Sequence, residues 1–165
     1  MCAQILLDIG CGEGHVLLLA AKLTGCQCIG IDIDDALLST ARQAAAAAGV
    51  SDRCTWLHCD FRSATAADVL AKASAICVFM VPSALRLLAP TLAAHMAGAH
   101  RRTKGENLAH VGTSSQRPKR GDGKPALRVA TMVYHFEESA ASCGLHKTEE
   151  DSTWKLCMYT CDEQG

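Results

Sequence analysis

The segment that decides the fold is ILLDIGCGEG, residues 5–14, in which a short apolar run ends in a cluster of glycines. An apolar run followed by Gly10, Gly12 and Gly14 is typical of a buried parallel strand that ends in a tight turn. The next residues, 15–23, are apolar nearly all round, as expected of a helix packed against a sheet. The segment therefore predicts a strand, a loop and a helix, the first unit of an α/β fold.

The rest of the chain continues this alternation of strands and helices. The predicted elements are strands at 28–33, 54–58, 75–81, 127–136 and 154–160, and helices after Asp34 or Asp35, at 68–72 and from Pro82 through Leu92. Because the late strands are grouped together, we predict a doubly wound, mostly parallel sheet with antiparallel strands at one edge.

Length and composition fit a single domain over residues 1–165. Hydrophobic residues make up 49% of the chain and charged residues 20%, and the net charge of -1 gives no specific signal for nucleic acid. No apolar run approaches the roughly 18 residues that a membrane span needs. Residues 101–124 carry seven Lys or Arg against two acids and have no periodic apolar face, which predicts a flexible basic insertion. This insertion is either a solvated linker or a contact for an acidic partner or nucleic acid.

The ten cysteines are interpreted as reduced thiols. Several lie inside apolar runs, such as Cys28 and Cys77, and no secretory segment precedes them, so we expect an intracellular protein with mostly buried, structural cysteines. The sequence has no CxxC pair and no HExxH motif, and no metal site is predicted.

Two acids follow the next two predicted strands. Asp32 lies twenty positions after Gly12 at the end of the second strand, where a carboxylate can accept both hydroxyls of a ribose. Asp60 ends the third strand, with Phe61 beside it, and suits the amino group and ring of an adenine. The carboxyl ends of parallel strands share one edge of the sheet, so the loop and both acids predict an adenosine-containing ligand there.

The spacing and charge of the loop distinguish between two such ligands. A dinucleotide fingerprint, G-x-G-x-x-G, would need glycine at position 15, which is His15. Asp8 and Glu13 place negative charge where a pyrophosphate would lie, whereas a ligand with a sulfonium and an ammonium tolerates these acids. S-adenosylmethionine is therefore favoured, and a nicotinamide-dependent oxidoreductase is the less favoured alternative.

Several segments carry a resemblance to a known family. DIGCGEG (8–14), IGIDID (29–34) and CDF (59–61) resemble motifs one to three of class I S-adenosylmethionine-dependent methyltransferases. Together with AAAAAGVSDR (44–53) and FMVPSALRLLAPTL (79–92), they resemble a small family with bacterial relatives. Its eukaryotic members methylate lysines of the mitochondrial ATP synthase c subunit and the adenine nucleotide translocase. The resemblance is good over residues 5–96 and thinner over 127–160.

The resemblance implies a Rossmann-like seven-stranded sheet whose final strand is reversed. It implies that the methionine moiety of S-adenosylmethionine lies near Asp8, Gly10, Cys11 and Gly12. The ribose would bind Asp32, and the adenine would lie between Ile33 and Phe61 with its amino group on Asp60. Phe79 would lie near the sulfonium, and the candidates for the catalytic, acceptor side are Phe79, Pro82 and Tyr134.

The resemblance also favours one acceptor, a protein lysine, so the chain is predicted to be a protein-lysine N-methyltransferase. The loop after the fourth strand lacks the Asn-Pro-Pro-Tyr type of signature of amino-group DNA methyltransferases. A small-molecule methyltransferase and a catalytically weak S-adenosylmethionine-binding module are the alternatives.

Class I enzymes usually carry helices before the first strand, whereas this strand begins within five residues of Met1. We therefore expect the N-terminal cap to be missing. The expected location is cytoplasmic by default, and a mitochondrial location is the alternative if a leading segment is absent.

Overall fold

The computed structural model describes residues 4–106, 128–132, 145–151 and 156–161. In these ranges the strands are β1 (Ile5–Ile9), β2 (Gln27–Asp32), β3 (Cys54–His58), β4 (Ala75–Val78), β5 (Arg128–Met132), β6 (Leu145–Asp151) and β7 (Leu156–Cys161). The helices are α1 (His15–Thr24), α2 (Asp35–Ala47), α3 (Ala64–Leu70) and α4 (Pro82–Glu106), with a short 3-10 turn at Ser51–Arg53.

The described strands form one seven-stranded sheet in the order β3-β2-β1-β4-β5-β7-β6. The pairs β1–β2, β2–β3, β1–β4 and β4–β5 are parallel, whereas β7 runs antiparallel to both β5 and β6. The strand order reverses between β1 and β4, the position at which open α/β sheets bind ligands. The predicted Rossmann-like, doubly wound and mostly parallel sheet is confirmed.

Helices cover both faces of the sheet. On one face, α3 and α4 bury an apolar cluster against β1, including Leu85, Leu88 and Leu92 of α4. On the other face, Leu17 of α1 and Leu38 of α2 are fully buried. Each buried leucine contributes roughly 1.5–3 kcal/mol relative to an exposed one. The two clusters therefore fix the sheet between two helical layers and hold the strand ends in place.

The ends of α1 and α2 follow their sequence signals. The Asp34 carboxylate accepts the backbone N–H groups of Ala36 and Leu37, which satisfies two donors at the start of α2. Gly25 adopts a φ of 69° just after α1, the left-handed conformation that commonly ends a helix. Helix α2 begins after Asp34, as predicted, whereas α1 ends at Thr24, one residue beyond the predicted range. These two ends determine where β2 begins and where its following loop ends.

Two predicted elements have different bounds in the structure. The helix predicted at 68–72 is α3 (Ala64–Leu70), because Ser63 caps it by accepting the N–H of Ala66. The strand predicted at 75–81 ends at Val78, whose partner on β1 is Ile9. Gly10 then leaves the sheet, so residues 79–81 have no continuing β1 strand beside them.

The later part of the chain shows two further differences. Helix α4 extends to Glu106, so residues 101–106 of the predicted 101–124 insertion are helical; Arg, Lys and Glu are good helix formers. Residues 107–124 lie outside the described residues. The strand patterns did not predict β6, because all of its residues after Leu145 are polar. The strands predicted at 127–136 and 154–160 correspond to β5 and β7.

Candidate active site

The glycine loop after β1 lies on the end of β2. The N–H groups of Gly10 and Cys11 both donate to the carbonyl of Ile31, at 2.9 and 3.1 Å. Gly10 has a φ of 77°, and a Cβ there would lie 3.1 Å from Cγ of Met80 and 3.4 Å from the Phe79 carbonyl oxygen. Glycine at position 10 therefore suits both the left-handed turn and the close approach of the β4–α4 connection, where a Cβ would press on the Met80 side chain.

The carboxylate of Asp32 joins the glycine loop to the start of α2. Its Oδ2 accepts the N–H of Gly12 at 2.8 Å, and its Oδ1 accepts the N–H of Asp34 at 3.0 Å. A carboxylate has about four lone-pair sites, so Asp32 keeps acceptor capacity for further donors such as hydroxyls. Asp32 thus holds the loop in position and presents an oriented acceptor at the sheet edge.

Asp8 lies beneath the loop and is almost fully buried, with 3% of its surface exposed. Its Oδ1 has no hydrogen-bond partner in the part of the chain that the structure describes. Burial raises the pKa of this carboxyl to about 7, and the nearby charge of Asp32 adds to the effect. A buried, unsatisfied carboxyl oxygen is costly, and a donor with positive charge would satisfy it.

Burial makes the thiols next to Asp8 poor nucleophiles. Burial, and then the charge of Asp8, raise the pKa of Cys11 and of Cys77 to about 12. Both thiols therefore remain protonated at neutral pH, and the thiolate is the reactive form of cysteine. The cysteines that the structure describes in chain positions 11–77 are all free of disulfides.

An ion pair with an arginine occupies the end of β3. The Asp60 carboxylate accepts the backbone N–H of Arg62 at 2.8 Å, its Nε at 3.0 Å and its Nη2 at 2.6 Å. The hydrogen bonds and charge of Arg62 lower the pKa of Asp60 to about 2. The guanidinium carbon also lies 5.9 Å from the centroid of the Phe61 ring, within cation–π distance.

A pocket of about 360 Å³ opens at the carboxyl ends of β1, β2 and β3. Of the predicted cofactor-binding residues, Gly10, Asp32, Ile33, Asp60 and Phe61 line it. The other residues that line it are Ile9, Ile31, Cys59, Arg62, Met80, Val81, Ala84 and Leu87. The structure therefore brings together the residues expected to hold the ribose and adenine of the ligand.

The remaining predicted residues lie elsewhere. Asp8, Cys11 and Gly12 belong to β1 and the loop rather than to the pocket lining, next to the glycine backbone. Phe79 is half exposed, and its carbonyl faces Gly10. Pro82 begins α4. Tyr134 lies outside the described residues, so its role at the acceptor side stays a prediction.

Sequence reasoning missed the contribution of α4 and Arg62 to the pocket. Ala84 and Leu87 are three residues apart and therefore share a face of α4. That face is adjacent to the buried one formed by Leu85, Leu88 and Leu92. The signal available in the sequence was an apolar residue, Leu87, outside the spacing of the buried leucines. Arg62, two residues after Asp60, could have been recognised as a partner for that carboxylate.

The described segments contain neither a metal-binding cluster nor a membrane-spanning helix. No group of three or more His, Cys, Asp or Glu side chains there is arranged to hold a metal ion. None of the helices in these segments has the length and apolarity needed to cross a membrane.

Comparison with known proteins gives a family and a fold. The family of ANTKMT methyltransferase domains matches residues 8–101, more than half of the chain. The ribosomal protein L11 methyltransferase of Shigella sonnei is 44% identical over 50 residues, 30% of this chain and 17% of that protein. The Escherichia coli protein of the same name is 40% identical over 68 residues, 41% of this chain and 23% of that protein. The chain thus matches less than a quarter of the length of these curated relatives.

Solved structures share the fold at low sequence identity. An RNA methyltransferase from Salinibacter ruber, in complex with S-adenosyl-L-homocysteine, superposes with a TM-score of 0.65 at 20% identity. That superposition covers 98% of this chain and 83% of the other. A ribosomal protein L11 methylase from Lactobacillus delbrueckii has a TM-score of 0.65 at 17% identity, covering 99% of this chain and 72% of the other. The chain belongs to the ANTKMT methyltransferase domain family and has the class I S-adenosylmethionine-dependent methyltransferase fold, as its sequence motifs indicated.

Proposed function

We propose that this chain transfers a methyl group from S-adenosylmethionine to a protein, with a lysine amine as the acceptor. The observation that carries the proposal is a set of three carboxyl groups at the strand ends, one buried beneath the glycine loop and two lining the adjacent pocket. They belong to Asp8, Asp32 and Asp60. The acidic loop suits a sulfonium and an ammonium better than a pyrophosphate, which would meet Asp8 and the exposed Glu13.

The described residues fit S-adenosylmethionine group by group. Asp32 retains acceptor sites for the ribose hydroxyls, and Asp60 is an acceptor for the adenine amino group. Ile33 and Phe61 line the same pocket and supply apolar surface for the ring. The unsatisfied Oδ1 of Asp8 suits the ammonium of the methionine moiety, close to the backbone of Gly10, Cys11 and Gly12.

The chain's part in methyl transfer is mainly positioning. S-adenosylmethionine, when bound, supplies a methyl group already activated by its sulfonium. Holding the acceptor nitrogen in line with that group can contribute roughly 7–11 kcal/mol. Phe79 and Val81, both more than half exposed, follow β4 at the pocket and provide apolar surface on the acceptor side. Such surface lowers the pKa of a lysine amine by desolvation and so favours the neutral form that attacks.

Two observations support a protein as the methyl acceptor. The curated relatives are named for a ribosomal protein that they methylate, and the family suggested by the motifs methylates lysines. A small-molecule methyltransferase remains the alternative with the same cofactor. A module that binds the cofactor but turns over slowly would share every feature of the described pocket.

Calorimetric titration of the chain with S-adenosylhomocysteine tests the cofactor, with NADH as the control ligand. Saturable binding of S-adenosylhomocysteine and none of NADH is expected; the reverse result would overturn the proposal. Incubation of the chain with tritiated S-adenosylmethionine and lysine-containing protein extracts tests the acceptor. Mass spectrometry should then locate methyl groups on lysine, whereas binding without any transfer would favour the slow-turnover module.

A further inference from the structure

Arg62 holds the Asp60 carboxylate with an unusually complete set of hydrogen bonds for an exposed pair. The guanidinium donates through both Nε and Nη2, so the two groups form a forked contact. The backbone N–H of the same residue donates to Oδ1 as well. The carboxylate is therefore fixed in its plane and in its direction.

The turn before α3 does not depend on the side-chain contact between Arg62 and Asp60. Exposed ion pairs contribute little to stability, and the turn before α3 does not need this one. The turn has its own hydrogen bonds, from the N–H of Arg62 to Oδ1 of Asp60 and from the N–H of Ser63 to the Asp60 carbonyl. These are backbone donors, which remain when the Arg62 side chain is removed. The forked contact can thus be removed by mutation while the hydrogen bonds of the turn are kept.

The fork also determines what the pocket recognises at this end. Asp60 and Arg62 both line the pocket, next to Phe61. An ionised carboxylate offers hydrogen-bond acceptors and no donor, so it favours the edge of a ligand that carries hydrogen-bond donors. Asp60 is ionised at neutral pH in any case, and the hydrogen bonds from Arg62, which lower the pKa of that carboxyl to about 2, add a fixed direction to its acceptor oxygens. A carbonyl placed at the same position would meet a lone pair instead of a donor.

We propose that Arg62 is a positioning residue that holds the acceptor oxygens of Asp60 in a fixed direction, so that the pocket selects a purine with a 6-amino group over one with a 6-oxo group. The inference rests on the proposed function, since it places the adenine of the cofactor at Asp60. Arg62 acts through Asp60 and need not contact the ligand itself. Its contact with the Phe61 ring, 5.9 Å to the centroid, keeps the guanidinium in place.

Titration with two ligands tests the inference on the whole chain. S-adenosylhomocysteine carries the 6-amino purine, and S-inosylhomocysteine is the matching 6-oxo compound. The unmodified chain is expected to prefer the first by at least about tenfold, the equivalent of one charge-assisted hydrogen bond. Arg62→Ala should weaken S-adenosylhomocysteine binding by about tenfold and reduce the preference between the two ligands. Arg62→Lys, which keeps the charge without the fork, should recover part of that preference.

Arg42→Ala is the matched control. Arg42 forms an exposed ion pair with Asp35 on α2, at 3.4 Å, and does not line the pocket. Its removal should leave both affinities unchanged. A preference that survives Arg62→Ala unaltered, or tighter S-adenosylhomocysteine binding in that variant, would overturn the role of Arg62 while leaving the cofactor assignment intact. Failure of the unmodified chain to bind S-adenosylhomocysteine would overturn both.

Discussion

The Asp32 carboxylate and the backbone N–H of Gly12 form a 2.8 Å hydrogen bond that connects positions twenty residues apart. The bond joins the ends of two neighbouring parallel strands, β1 and β2, above the sheet. Because the same carboxylate also binds the N–H of Asp34, a single side chain sets the spacing between the loop and α2. The group expected to bind the ribose is therefore also the group that shapes the loop.

Replacing Asp32 should reduce cofactor binding strongly. In Asp32→Ala both the loop anchor and the expected ribose acceptor are lost, and hydrogen bonds to a charged group contribute about 1.5–3 kcal/mol. We expect the affinity for S-adenosylhomocysteine to fall at least about tenfold in calorimetric titration. Asp34→Ala is the control, since it removes the α2 cap at a cost of about 1 kcal/mol without removing a pocket residue. Equal affinity in Asp32→Ala and the unmodified chain would contradict the ribose assignment.

Asp8 should make stability fall as the pH rises. Its pKa is about 7 in the folded chain, above the ordinary value of 3.8, so the folded state binds more protons between these two pH values. The stabilising contribution is fully present below pH 4 and is lost as the pH rises through 7. In Asp8→Asn, which stays neutral, this loss should disappear. The variant should then exceed the parent by up to about 4 kcal/mol above pH 7.

Urea unfolding of the two proteins between pH 5 and pH 9 measures this difference. The two stability curves should converge toward acid pH and separate toward alkaline pH. Parallel curves over the whole range would show that Asp8 titrates near its ordinary value in the folded chain.

Two of the loop glycines, Gly12 and Gly14, should differ in their tolerance of alanine. Gly12 and Gly14 both have positive φ values, 53° and 77°, which cost an alanine about 1–2 kcal/mol. A Cβ at Gly12 would meet nothing within 4 Å, whereas one at Gly14 would overlap the ring of Trp56. We therefore expect Gly14→Ala to lower the melting temperature much more than Gly12→Ala. Similar melting temperatures would mean that the Trp56 ring can move aside.

Filling the pocket from α4 should block the ligand without unfolding the chain. Ala84 lines the pocket and is only partly buried, so the ring in Ala84→Phe would extend into the 360 Å³ space. Binding of S-adenosylhomocysteine should fall below detection while the circular dichroism spectrum is kept. Ala94→Phe, at an exposed position of the same helix, is the matched control. Unimpaired binding in Ala84→Phe would place the ligand outside this pocket.

The positions of site residues could be predicted from the sequence where each residue is placed by the strand that it ends or follows. Gly10, Asp32 and Asp60 follow strands whose apolar patterns are strong, so their common edge could be predicted from order alone. Arg62 and Leu87 were missed because their positions depend on how a turn and a helix pack. The hydrophobic periodicity of the sequence contains no information about that packing. The strand β6 was missed for a related reason: its polar residues carry no burial pattern, and its hydrogen bonds come from pairing with β7.

The strand order β5-β7-β6 has a consequence for the order in which the sheet can form during synthesis. Among the described strands, β7 comes last in the sequence, yet it lies between β5 and β6 and is the antiparallel neighbour of both. While the chain is still on the ribosome, β6 has emerged but its described neighbour has not. The edge of β5 is equally open at that stage. That edge of the sheet is therefore completed only after β7 has emerged, and a stop codon before position 156 would leave β6 without its described neighbour and β5 paired with β4 alone.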